Sequence, residues 1–242
     1  MKTLLVGIFL LLFFVVSIPL FLLEIILEKI NPRLRVKSSQ AIVVTAFHII
    51  LFICGIKKTV IGRENIPGDK AVLYVANHRS YFDILLGYTT VPNLTGFVAK
   101  KEMGKLPFIS TWMGFLNCLF LDRDNVREGL KTILKGVEHI NNGYSIFISP
   151  EGTRNQDKEM LPFKEGSLKM AEKTGCPIIP VTINNTDNIF ENHLPWIRKA
   201  HVVIEYGKPI YQEELSKEER KFLGSYVQGI IKETYNKNTS LV

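Results

Sequence analysis

Cysteine is scarce in this chain: Cys54, Cys118 and Cys176 are the only three, and no two share a CxxC spacing. Each sits among apolar residues, the pattern of a reduced, buried thiol in a cytosolic compartment, so neither a disulfide framework nor a zinc site is expected. Several motifs are missing as well. The sequence has no GxSxG elbow, HExxH, GxGxxG or GxxxxGK, which removes the usual signatures of a serine hydrolase, a zinc protease, a dinucleotide binder and a P-loop enzyme. Internal repeats, low-complexity linkers and a second globular domain are also absent. Apolar residues make up 46% of the 242, ample for one core, so disorder is not expected.

Acidic charge is scarce in one place. Residues 1–63 hold eight of the 30 Lys and Arg but two of the 23 Asp and Glu, leaving 22 basic against 21 acidic residues in 64–242. A nucleic-acid binder spreads a basic stripe over its folded domain, whereas charge beside apolar segments suits anionic lipid headgroups. No nucleic-acid partner is expected.

Those apolar segments are long. "TLLVGIFLLLFFVVSIPLFLL", residues 3–23, carries no charge and as a helix reaches about 31 Å, enough to cross a hydrocarbon core. It exceeds a signal-peptide core, has only Lys2 before it and no A-x-A site after it, so it reads as a retained membrane segment. A second run, "AIVVTAFHIILFICGI" at 41–56, reaches about 24 Å, short for a crossing. Arg33, Arg35 and Lys37 precede it; Lys57, Lys58 and Arg63 follow. Positive flanks on both sides favour a segment that dips into one leaflet and returns, with two ordinary spanning helices as the alternative. His48 on this run reads as a packed or interfacial histidine. Residues 1–63 are thus expected to form a membrane-embedded helical motif with basic flanks, and 64–242 a single domain on the cytoplasmic side.

Beyond "GRENIPGDK" short apolar runs alternate with helical patterns, as in α/β domains. Strands are expected near 58–62, 70–76, 95–99, 117–121, 144–149, 177–183 and 201–206. Val126, Leu130, Ile133, Leu134, Val137 and Ile140 repeat at helical spacing, with His139 read as surface beside them. "FKEGSLKMAEKTG", 163–175, reads as a helix closed by Gly175, and Ser216 with Glu219 as the capping box of a last helix running to about Tyr235.

Two stretches carry chemistry. In "VANHRSYFD" an imidazole, His78, stands five residues before a carboxylate, Asp83, just past an expected strand. If the chain turns back over "RSYF", Asp83 falls in the first turn of a helix and within reach of His78, where it would fix the tautomer and stabilise the imidazolium. Alone, the spacing also fits a coincidence. In "YSIFISPEGTRN" a strand breaks into Pro150, Glu151, Gly152, Thr153 and Arg154, and a guanidinium on such a turn suits bidentate phosphate recognition. An ordinary exposed turn with a local Glu–Arg pair is the alternative. Lys100, Lys101, Lys105 and Arg123 are further candidates for positive charge.

Together "NHRSYFD", "LFLDR", "PEGTR" and "CPIIPV" resemble, in order and spacing, the four motifs of the glycerolipid acyltransferases. The likeness is greatest to the bacterial-type 1-acyl-sn-glycerol-3-phosphate (lysophosphatidate) acyltransferases, covers roughly residues 58–210 and includes "LPFKEGS". It implies an α/β domain with a mixed sheet flanked by helices, reached by an N-terminal membrane-embedded helical motif. It also implies that His78, oriented by Asp83, takes the proton from a lysophospholipid hydroxyl attacking the thioester of acyl-CoA or acyl carrier protein. No acyl-enzyme and no bound cofactor are implied. By the same resemblance Glu151, Gly152, Thr153 and Arg154 form the acceptor-phosphate motif, with Arg123 and Lys105 lining the same pocket. The sequence departs from the pattern at Ser110, Asn117 and Ser149, read as bordering the pocket and bearing on acceptor choice. Lysophosphatidate is the expected acceptor, glycerol 3-phosphate or another lysophospholipid the alternative, and a non-catalytic lipid-binding protein the rival from another class.

Overall fold

The computed structural model describes residues 1–157 and 159–242. Two long helices come first, α1 (Lys2–Ile30) and α2 (Pro32–Cys54). Asn31 separates them: its side chain accepts from the amides of Arg33 and Leu34 at 2.9 and 3.1 Å, and Pro32 occupies the first helical position, where its missing N–H costs nothing. Gly55 closes α2 at φ 68°, a left-handed turn that glycine adopts without strain. The second helix therefore starts nine residues earlier than residue 41 and is about 35 Å long, so the argument that it is too short to cross falls away. Both helices are long and apolar enough to span a membrane.

Seven strands follow, β1 (Lys57–Ile61), β2 (Leu73–Ala76), β3 (Thr95–Lys100), β4 (Leu119–Leu121), β5 (Ser145–Ile148), β6 (Ile178–Asn184) and β7 (His201–Tyr206). They form one sheet in the order β1-β7-β6-β2-β5-β3-β4, parallel throughout except where β7 runs against β6. All seven expected strands are present, and the mixed sheet is as the resemblance implied. β1 lies inside residues 1–63 yet pairs with β7 from Lys57↔His201 to Ile61↔Glu205, so these five residues belong to the sheet.

Alternation along the strands builds two cores. On one face Tyr74, Ala76, Phe97 and Phe147 meet α3 (Phe82–Thr90) and α4 (Ile109–Phe115), over which α2 and then α1 are laid. Leu73, Val75, Ile146 and Ile148 point the other way, against α5 (Val126–Asn141), α6 (Lys169–Thr174) and α8 (Leu223–Asn238). The expected helix over 163–175 is a 3-10 turn, Glu165–Leu168, leading into α6, with Gly175 as its left-handed cap. The Ser216–Glu219 capping box forms, but its helix α7 (Lys217–Lys221) breaks at Phe222 before α8 begins. His139 is half-buried rather than at the surface, edge-on to the Tyr144 ring.

Candidate active site

Five strands, β2 to β6, run parallel, so their carboxyl ends share one edge of the sheet, where loops are free to converge on a ligand. His78 leaves the end of β2 there. Asn77 prepares its exit: its side-chain amide donates to the Ile183 carbonyl and its oxygen accepts from the Ile183 amide, both at 2.9 Å, replacing a backbone ladder pair. The main chain can then turn without leaving β6 unpaired.

Ser80 and Asp83 start α3. The Ser80 hydroxyl accepts from the Phe82 amide at 3.0 Å and the Asp83 carboxylate from the Ser80 amide at 2.8 Å, a local version of the capping box. The turn carries Asp83 to His78, Oδ2 to Nδ1 at 2.8 Å. Asp83 is 2% exposed and fully engaged. Oδ2 also accepts from the Arg79 amide at 2.8 Å, and Oδ1 accepts from the Thr186 hydroxyl at 2.6 Å. A carboxylate facing two backbone N–H groups is an acceptor, so the proton of the His78–Asp83 bond sits on Nδ1, leaving the Nε2 lone pair free to take another. Among the described residues Nε2 has no partner, and the ring keeps one side to solvent.

The third motif lies at the end of β5, the strand beside β2. Glu151 is buried: Oε1 accepts from the His78 amide at 2.8 Å, and Oε2 from the Leu161 amide at 3.0 Å and the Asn155 side chain at 3.2 Å. A carboxylate so engaged braces the His78 loop through its two oxygens. Gly152 adopts φ 77°, and a Cβ there would stand 3.1 Å from Lys164 Nζ, so glycine admits both the turn and the ammonium. Thr153 is exposed. Arg154 lies over Tyr81, its Cζ 3.6 Å from the ring centroid, with Nη1 3.4 Å from Glu191.

Lys105, in the turn after β3, and Arg123, after β4, are exposed on the same edge. By strand spacing Arg123 stands about 14 Å along it from His78, three strands away. No hydrogen bond or ion pair among the described residues joins either to the His78 cluster. Of the departures, Ser110 in α4 and Ser149 beside Pro150 flank this edge. Asn117 does not: it precedes β4, at the opposite edge, where its side chain accepts from Arg35 at 2.9 Å.

Several supporting groups had no sequence signal strong enough to single them out. Thr186 and Asp187 lie just past β6, five and six residues after the fourth motif; Asp187 holds Arg79 through Nε and Nη2 at 3.1 and 2.9 Å. Burial opposes the Arg79 charge, but that bond and the Asp187 charge outweigh it and push the guanidinium pKa further up. Glu191 accepts from the Ser80 hydroxyl at 2.6 Å and the Tyr81 amide at 2.8 Å, so it ties the histidine turn to Arg154. Lys164, inside "LPFKEGS", adds a cation at the Gly152 turn.

Comparison with known proteins identifies the family. The family model described as Acyltransferase matches residues 57–184. The 1-acyl-sn-glycerol-3-phosphate acyltransferase of Saccharomyces cerevisiae is 33% identical over 71% of this chain and 57% of its own length. That of Borreliella burgdorferi is 34% identical over 74% of this chain and 72% of its own. The chain thus spans somewhat over half of the yeast relative and nearly three quarters of the bacterial one. The crystal structure of the 1-acyl-sn-glycerophosphate (LPA) acyltransferase from Thermotoga maritima superposes with a TM-score of 0.80 at 28% identity, covering 98% of this chain and 95% of that one. With its fold and more than half of its length in agreement, the chain belongs to the acyltransferase family.

Proposed function

We propose that the protein is a membrane-bound 1-acyl-sn-glycerol-3-phosphate O-acyltransferase, moving a fatty acyl group from acyl-CoA or acyl carrier protein to the sn-2 hydroxyl of lysophosphatidate to give phosphatidate. The observation that carries this reading is the His78–Asp83 pair, in which Nδ1 meets an Oδ2 that two backbone amides also face. Nε2 takes the hydroxyl proton as the oxygen attacks the thioester carbonyl. The C–O bond forms, the C–S bond breaks, and the imidazolium returns its proton to the leaving thiolate. No protein nucleophile takes part. Arg154, fixed by Tyr81 and Glu191, and Lys164 meet the acceptor's phosphate nearest the histidine, with Lys105 and Arg123 extending the positive edge outward.

α1 and α2 hold the enzyme at the membrane with the sheet on the cytoplasmic side, where both thioester donors are found. The membrane-embedded part then ends at Gly55, and β1 opens the catalytic part. Thiol release from acyl-CoA or acyl carrier protein, followed over a panel of acceptors, tests the reading. Release should depend on acceptor and be fastest with lysophosphatidate. Preference for glycerol 3-phosphate or another lysophospholipid would reassign the acceptor, and donor binding with no transfer to any acceptor would leave a lipid-binding protein.

A further inference from the structure

The connection from β6 to β7 carries an apolar pair that, among the described residues, joins neither core. Its base is closed by the Arg198 amide on the Ile189 carbonyl at 2.9 Å, and Ile189, Phe190 and Ile197 pack into the core. Its tip is anchored from outside the sheet. The Thr3 hydroxyl, in the first turn of α1, donates to the Pro195 carbonyl at 3.2 Å and accepts from the Ile197 amide at 2.9 Å. On a loop held this firmly, Leu194 and Trp196 nevertheless stand 63% and 60% exposed.

Their surroundings name an occupant. Thr3 brings the first turns of α1 to the loop, where Leu4, Leu5 and Ile8 are exposed, and Lys2 and Lys199 meet the end of α2 at Gly55, three residues after exposed Phe52. Exposed Lys57, Arg198 and Lys199 rim the same end of the molecule, and Lys2 reaches the Cys54 carbonyl there. A tryptophan at the end of an apolar helix, ringed by lysine and arginine, is the composition of a membrane–water interface: the ring sits at headgroup depth and the cations meet anionic lipid. From this continuity of apolar surface and charge we infer that the Leu194–Trp196 tip is a third membrane-contacting element, seated in the interface of an anionic bilayer beside the α1 N-terminus.

The placement bears on catalysis, because the same loop carries Glu191, which holds Ser80, Tyr81 and Arg154. Seating the tip would fix the depth of the phosphate-binding turn below the headgroups from which the acceptor comes. The inference rests on the membrane reading of α1, and the test separates the two. Trp112 and Trp196 are the only tryptophans, so the emission of the wild type less that of Trp196→Phe isolates Trp196. Protein is reconstituted into phosphatidylcholine–phosphatidylglycerol vesicles with and without bromine on the acyl chains. Bromine should quench the Trp196 emission at least about twofold, as an interfacial ring requires. Leu194→Asp should diminish that quenching. A tryptophan at exposed position 12 of α1, introduced as Leu12→Trp into Trp196→Phe, reports helix insertion. Quenching at 12 with none at 196 overturns the loop inference and leaves the membrane reading intact. Absence of quenching at both overturns the two together.

Discussion

Asp83→Asn isolates the charge of the carboxylate from its geometry. Oδ2 faces three donors, the His78 ring and the Arg79 and Ser80 amides, whereas Oδ1 faces only the Thr186 hydroxyl. An asparagine would therefore set its oxygen at the Oδ2 position, where an NH2 group would oppose two backbone N–H groups. Its NH2 would take the Oδ1 position, and the Thr186 hydroxyl would rotate to accept. The Nδ1–H tautomer survives, and so does the turn. What is lost is the negative charge 2.8 Å from an imidazole that becomes positive in the transition state. Where an asparagine also imposes the wrong tautomer the loss is about 10,000-fold; with the tautomer kept it should be about 100- to 1,000-fold in kcat/KM, roughly 3 to 4 kcal/mol. His78→Ala, which removes the base, should lose at least about 100-fold and set the floor. The assay is acceptor-dependent thiol release in mixed micelles, with circular dichroism to verify folding. Activity of Asp83→Asn within threefold or so of wild type, beside an inactive His78→Ala, would refute the argument, because the imidazolium would then need no charged partner.

Glu151→Gln has no such escape, since both oxygens accept from N–H groups; one donor should be opposed by the new NH2, at about 1–3 kcal/mol, and kcat should fall by about 10- to 100-fold. A change confined to the KM for lysophosphatidate would place Glu151 at the phosphate, as the resemblance implied. Arg154→Ala should weaken use of lysophosphatidate by about 2 to 4 kcal/mol in kcat/KM and that of a monoacylglycerol far less, with Arg154→Lys recovering part; equal losses on the two acceptors would move the phosphate site to Arg123 or Lys105. Burial pushes the Cys118 and Cys176 thiols above their usual pKa, which lowers the reactive thiolate fraction at any working pH, so both should resist a disulfide reagent at pH 8 until the protein is unfolded. Replacing all three cysteines with serine should leave the reaction chemistry intact, and mass spectrometry after exposure to donor alone should find no acyl adduct.

The strands were legible because most are short apolar runs between polar turns, and β2, β5 and β6 are buried at every residue. Local signals also served the Ser216 capping box and the Gly175 cap. Where a neighbour decided the conformation, sequence gave less. Asn31 and Pro32 begin α2 amid charged residues that look like a flank, and Leu223, fully buried, draws the chain into α8 after the break at Phe222. At the site, His78 and Asp83 could be paired because five residues and a turn connect them. Thr186 and Glu191 reach the same turn from over 100 residues away, and side-chain-to-loop contacts at that separation leave no period to read. Glu151 could be singled out from its motif, but only the fold shows its oxygens turned toward the His78 and Leu161 amides.

The pairing of β1 with β7 has a bearing on biosynthesis. Lys57 and His201 are register partners, so the strand that follows the hairpin of α1 and α2 has no neighbour until the chain has been made past residue 206. The helices leave the ribosome before the sheet and, on the proposed membrane seating, settle in lipid while the rest is still being translated. On that reading β1 waits at the bilayer surface as a tethered edge, and its five residues become the dock against which β7 closes. Because the tether holds one end in place, the search for that long-range pairing is confined to a thin layer beside the membrane instead of the full volume open to a free chain.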